Sequence, residues 1–244
     1  MMAVRGKDER MSGATSAGEK FQTLVGILDR LRRPGGCPWD REQDERSIAN
    51  FFLEEVYEAV DALFRGDVAA LAEELGDVLM EVVFLSRIYE EKGSFTVADA
   101  LEGVTAKLIR RHPHVFGEDR CEDSRRVLEA WIRRKSEEKK GAGPFESLAM
   151  TAPALLSAFQ IGVRASQHGH EGATAAEALA KAKERIAELE GGGDSGGEAL
   201  EEKIGEAFFA LADFARLLGV NPEIALRRAN ARFVVRFAAL PRKK

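Results

Sequence analysis

Apolar residues along the 244-residue chain recur every three or four positions, and glycine and proline separate the stretches they mark. That spacing is the period of an amphipathic helix. No stretch alternates at period two for long enough to require a sheet, so the expected fold class is all-α. The first helix is expected over about Glu19 to Arg33, with Phe21, Leu24, Val25, Leu28 and Leu31 on one face and Pro34-Gly35-Gly36-Cys37-Pro38 as its stop. A second spans about Ser47 to Arg65, with Phe52, Val56, Val60 and Leu63 apolar. Gly66 closes it and Asp67 caps the third. That third helix runs to about Lys92, before Gly93, with Leu71, Leu75, Val78, Leu79, Val82, Val83 and Leu85 apolar. A fourth opens at Thr96, with Asp99 in a weakened capping box, and ends near Arg111 because His112 precedes a proline. A fifth covers about Ser124 to Lys140, with Val127, Leu128, Trp131 and Ile132. Four more follow, over about Pro153–Gln167, Thr174–Glu190, Glu198–Leu218 and Pro222–Ala239.

Two halves share a pattern. Glu74-Leu75-Gly76-Asp77-Val78-Leu79 in the first is matched by Lys203-Ile204-Gly205-Glu206-Ala207-Phe208 in the second. Each follows an acidic helix and precedes a basic one, which implies duplication of a helical unit. The expected organisation is a disordered tail over 1–18, a first unit over 19–140, a linker over 141–152 and a second unit over 153–244. The glycine run Gly191–Gly197 lacks the spacing and the Lys-Ser/Thr of a phosphate loop.

Composition narrows the function classes. Lys and Arg total 36 against 41 Asp and Glu, a net charge of −5, so there is no broad basic footprint for nucleic acid. Cys37 and Cys121 cannot build a disulfide framework and suit a reducing cytoplasm. No apolar run reaches the roughly 18 residues of a membrane span, and the N-terminal residues carry no hydrophobic leader, so a signal peptide is not expected.

The chemistry concentrates in four acids. Glu55 and Glu58 are three apart on one expected helix, and Glu74 and Asp77 are three apart on the next. Side chains at that spacing share a helix face. Two antiparallel helices joined at Arg65-Gly66-Asp67 could aim all four carboxylates at one point, with Gly76 allowing close approach. Converging carboxylates repel, and a hard divalent cation resolves the conflict; oxygen ligands suit Mg²⁺ or Mn²⁺. The pattern alone leaves a solvated acidic face standing beside the metal site, because Glu54, Asp61, Glu73 and Glu81 are neighbours. A di-iron bundle needs Glu-x-x-His on two helices, and neither motif here supplies a histidine.

Lys107 and Arg111 share a face of the fourth helix, where cations would hold phosphate oxygens or simply complement the helix dipole. His112, His114, His168 and His170 lack the spacing of a zinc helix and read as loop or cap residues. Cys37 has no local histidine to mark it as a nucleophile. Trp39 reads as a packing anchor. Trp131, beside Arg133, Arg134 and Lys135, reads as a base-stacking candidate with a core role still open.

Glu54-Glu55-x-x-Glu58, followed after 15 residues by Glu74-x-x-Asp77, resembles the signature of the MazG nucleotide pyrophosphohydrolases, within the all-α NTP pyrophosphatases. Gly36-Cys37-Pro38-Trp39-Asp40, the Lys107-to-Phe116 segment and Trp131 resemble the same family in the same order. The resemblance implies a two-repeat bundle that dimerises and cleaves nucleoside triphosphates to monophosphate and pyrophosphate with Mg²⁺, a role in sanitising nucleotide pools. It implies Glu55, Glu58, Glu74 and Asp77 as metal ligands, and Glu54 or Glu58 as the group that orients or deprotonates water. It implies Lys107 and Arg111 on the phosphates and Trp131 on the nucleoside. The second half departs from this pattern: Arg185 stands where the first has Glu55, Lys203 where it has Glu74, and Glu206 where it has Asp77. Arg and Lys repel Mg²⁺ and could pair with Glu188 and Glu206, so the second repeat is expected to be catalytically dead. Little chain follows Arg236, and no counterpart of Trp131 is expected there. The rivals are a non-catalytic helical scaffold or regulatory dimerisation protein, and a narrower nucleotidase favouring dUTP or a damaged nucleotide.

Overall fold

The computed structural model describes residues 16–117, 120, 123–138, 143–146, 148–149, 151–169, 174–190 and 197–238. Most of the tail expected over 1–18, part of the linker expected over 141–152, Cys121, His170 and residues 191–196 of the glycine run lie outside the described residues. The described residues form helices and no strand: α1 Ala17–Arg32, α2 Pro38–Glu42, α3 Glu45–Arg65, α4 Val68–Glu91, α5 Val97–Arg111, α6 Pro113–Phe116, α7 Ser124–Glu137, α8 Ala154–Gln167, α9 Ala175–Glu190, α10 Gly197–Leu217 and α11 Pro222–Ala238. The fold is all-α. None of these helices is long and apolar enough to cross a membrane.

The boundaries follow local chemistry. Asp44 caps α3 by accepting from the Arg46 and Ser47 amides, and Asp67 caps α4 by accepting from Ala70. Gly66, at φ 71°, ends α3 in the left-handed conformation that glycine adopts without a Cβ penalty. Thr96 and Asp99 complete both bonds of a capping box on α5, so the shorter acid serves as well as glutamate there. Two short helices escape the sequence reading, α2 and α6. Each begins on a proline that reads as a stop, yet proline is also favoured as a first helical residue.

The chain's contacts divide it into two compact units, with the division between Arg120 and Cys121. The boundary expected from sequence lies at residue 140, and α7 falls between the two positions. In the first unit α3 and α4 form an antiparallel pair, α1 packs on α4, and α5 lies against α4. Leu28, Ile48, Val83, Phe84 and Ile88 form the buried core, flanked by Phe21, Leu24, Phe51 and Met80. In the second unit α9 pairs with α10, and α8 packs on α10. Its buried positions are small: Ala178, Ala182, Ala207, Ala210 and Ala212. Helices that meet through alanine approach closely. Gly162 on α8 extends this economy, since a Cβ there would fall 2.6 Å from the Arg216 Nε.

Two expectations for α4 need correction. Leu75 and Leu79 do not join the core; they are 50% and 49% exposed, whereas Glu81 and Ser86 are buried. Apolar residues cover more of α4 than α1 and α3 can bury, so periodicity alone does not choose the inward face. Gly76 does not mediate the approach of α3, because a Cβ built on it meets nothing within 4 Å.

One side chain ties three elements together. Arg32, its side chain 6% exposed, donates from Nε and Nη2 to Glu91 at 3.0 and 2.8 Å, and from Nη1 to the carbonyls of Asp40 and Gln43. Its guanidinium also lies over the Phe84 ring at 5.2 Å. Replacing it takes this donor from the Asp40 and Gln43 carbonyls and leaves Glu91 only its longer contact with Arg87, at 3.6 Å. Arg32→Met should lower the stability of the first unit by about 2–3 kcal/mol, measured by urea unfolding.

Candidate metal centre

The α3–α4 pair folds back at Gly66-Asp67, which sets the Glu55–Glu58 turn of α3 beside the Glu74–Asp77 turn of α4. Carboxylate oxygens of Glu55, Glu58 and Glu74 all lie within 4.8 Å of one another. Glu55 and Glu74 are half-buried and Glu58 is exposed. Asp77 is half-buried on the same stretch of α4, and its charge acts on both Glu55 and Glu74. Glu54 is exposed and contributes a smaller repulsion to Glu55.

The electrostatics are one-sided. Burial is the first cause that raises the Glu55 pKa, followed by the charges of Asp77, Glu58, Glu74 and Glu54. Burial likewise leads the rise at Glu74, followed by Glu58, Asp77 and Glu73, with a hydrogen bond to Glu55 opposing it. The charges that raise these two groups all belong to other acids. Such a cluster is costly as bare carboxylates and favourable around a divalent cation, and its all-oxygen donor set fits Mg²⁺ or Mn²⁺.

A fifth acid belongs to this neighbourhood, and the sequence reading did not single it out. Glu81 follows Asp77 by one turn of α4 and is only 5% exposed. Its Oε2 is buried with no hydrogen-bond partner. Burial, then the charges of Glu55 and Asp77, push its pKa up to about 7. The available signal was register: Glu74, Asp77 and Glu81 occupy positions i, i+3 and i+7, which share one helix face.

The other expected site residues lie elsewhere. Lys107 is exposed and Arg111 half-buried, one turn apart on α5, the helix that packs against α4. Trp131 is half-buried on α7 in the second contact unit, with the Lys135 ammonium 5.0 Å from its ring centre. Trp39 is 57% exposed and touches Phe51 at 6.0 Å between ring centres, so it anchors packing with one edge only. Cys37 is a free thiol. His112 lies between α5 and α6 and His168 follows α8, both at helix ends.

The corresponding place in the second unit is built differently. Arg185 donates from Nη1 to both Glu188 oxygens at 3.0 Å. Its pKa is raised, first by that hydrogen bond and the Glu188 charge, then by Glu184 and Glu206. An arginine thus sits among acids here, where in the first unit the charges that raise Glu55 and Glu74 come from further acids.

Residues 43–116 match the MazG nucleotide pyrophosphohydrolase domain. The chain is 38% identical over 221 residues to the nucleoside triphosphate pyrophosphohydrolase/pyrophosphatase MazG of Thermotoga maritima, covering 91% of this chain and 85% of that one. It is 39% identical over 230 residues to the nucleoside triphosphate pyrophosphohydrolase of Escherichia coli K12, covering 91% and 88%. A nucleoside triphosphate pyrophosphohydrolase of Mycobacterium tuberculosis is 36% identical over 156 residues, covering 62% and 46%. The matched domain contains both acidic turns, and the similarity to the first two relatives runs through nearly the whole of both chains: the protein belongs to the MazG family of nucleotide pyrophosphohydrolases.

Proposed function

We propose that the first unit hydrolyses nucleoside triphosphates, ribo or deoxy, to the nucleoside monophosphate and pyrophosphate, using Mg²⁺ held by Glu55, Glu58, Glu74 and Asp77. The observation that carries this reading is the cluster of three carboxylates whose oxygens lie within 4.8 Å of one another, with other acids supplying the charges that raise Glu55 and Glu74. When bound, the cation neutralises phosphate charge and lowers the pKa of the attacking water. Glu54 or Glu58 orients or deprotonates that water for attack at the α-phosphorus. Lys107 and Arg111, on the helix beside α4, hold phosphate oxygens.

The second unit, on this reading, is a packing or dimerisation module without turnover. Its Arg185 supplies from within the charge that the first unit takes from solution. The partner for the first unit is a second copy of the chain. Leu75 and Leu79 on α4 and Leu101 and Leu108 on α5 are all about half exposed, which leaves apolar surface for a homodimer to bury.

Three outcomes test the proposal. Across a panel of nucleoside triphosphates, pyrophosphate release should require Mg²⁺ or Mn²⁺ and fall by about 100-fold or more in Glu74→Gln, while Glu188→Gln retains wild-type turnover. Absence of turnover with every substrate would favour the scaffold reading, and the reverse ranking of the two variants would move the active site to the second unit. Glu55, Glu74 and Glu81 all have raised pKa values, so the folded metal-free chain holds protons that the unfolded chain releases. Above about pH 5.5, where ordinary carboxylates have finished titrating, its melting temperature in chelator should therefore fall as pH rises towards about 7, and Mg²⁺ should flatten that slope. Leu79→Glu should shift the chain towards monomer in analytical ultracentrifugation.

A further inference from the structure

The acidic turns of α3 and α4 account for four carboxylates, but the fold buries a fifth that none of those roles uses. Glu81 is 5% exposed and has an oxygen, Oε2, that meets neither donor nor cation among the described residues. A buried, unsatisfied carboxylate is destabilising unless something outside the chain completes it. Apolar residues of similar volume would pack the same space at lower cost. Its neighbours on α4 show the contrast: Val83, Phe84 and Ile88 are buried and apolar, and the buried Ser86 hydroxyl donates to the Val82 carbonyl at 2.8 Å. Glu81 alone among these lacks a partner.

Its position gives the direction of the missing partner. Glu81 continues the line of Glu74 and Asp77 one turn towards the core. The charges that act on it are those of Glu55 and Asp77, one from each wall of the acidic cluster. No basic residue stands among them, and Oε2 has no hydrogen-bond donor among the described residues.

We propose that Glu81 is a fifth carboxylate donor of the cation centre, lying on its inner side with Glu55 and Asp77, so that a divalent cation entering the cluster is engaged by the buried Oε2. This assignment rests on the reading that the acidic turns hold a divalent cation, and it adds a residue to that site. It explains why a carboxylate occupies a position where leucine would otherwise suffice. It also explains why the acids extend inward: a donor at the edge of the core anchors the cation on its protein side and leaves the outer side to substrate oxygens.

Direct Mn²⁺ binding to the full chain, by calorimetry and by electron paramagnetic resonance of the free ion, separates the possibilities without recourse to turnover. Wild type, Glu74→Gln, Glu81→Gln and Glu81→Leu are compared, with thermal melts in chelator and in Mn²⁺. Both Glu81 variants should bind Mn²⁺ about 10–100-fold more weakly than wild type. In chelator they should melt no lower than wild type, because a buried unpaired charge has gone, and Mn²⁺ should raise their melting temperatures less. If both Glu81 variants bind Mn²⁺ as wild type does while Glu74→Gln does not, the assignment of Glu81 is overturned and the cation site stands. If Glu74→Gln also binds as wild type, or wild type takes up no Mn²⁺, the cation site itself fails and this proposal with it. Should the glutamine variant not fold, the leucine variant carries the same comparison.

Discussion

Like charges held face to face are the constraint on which the first unit turns. Glu55, Glu58 and Glu74 come within 4.8 Å because the α3–α4 pair has no freedom to separate. The Gly66-Asp67 connection ties one end, and Ala59 and Ala62 are buried near it. Ile48, Phe84 and Ile88 tie the other end in the core, reinforced from α1 by Leu28 and by the Arg32 clamp on Glu91. Repulsion between carboxylates is thus sustained by apolar burial on either side of it. A site prepared in this way would need little rearrangement to receive a divalent cation, and a bound cation would stabilise the state that receives it.

The two units apply one topology to opposite electrostatic ends. Each centres on an antiparallel pair, α3–α4 or α9–α10, with a preceding helix packed on the second member. In one, the charges that raise the paired acids Glu55 and Glu74 come from other acids. In the other Arg185 bonds Glu188 and is stabilised by Glu184 and Glu206. The apolar interior changes as well, from leucine, isoleucine and phenylalanine to alanine. A helix pair packed through alanine lies close without deep side-chain interlocking, which suits a role in shape more than in chemistry.

Much of this was legible in the residues. Helix ends were, because Asp67, Thr96 and the glycines at 66 and 93 act through bonds to their own neighbours. So was the pairing of acids three apart, because helical register follows from sequence alone. What failed was anything decided by which side of a helix meets a neighbour. Leu75 and Leu79 look like core residues, and Glu81, amid Leu79, Met80, Val82 and Val83, looks like a surface residue; the fold reverses both. Gly76 has the composition of a close contact but the surroundings of an open surface. The prolines of α2 and α6 can end a helix or begin one, and only the tertiary path decides.

Arg185 has a consequence for how the two halves can diverge. Glutamate at that one position would strip Glu188 of its partner and leave Lys203 in the sequence position where the first unit has Glu74. The intermediate would be neither a satisfied ion pair nor a complete ligand set. Matching the first unit's acids therefore needs concerted changes at separate helices. The Arg185–Glu188 bond works as a ratchet: no single substitution at either position turns the ion pair into the first unit's set of acids.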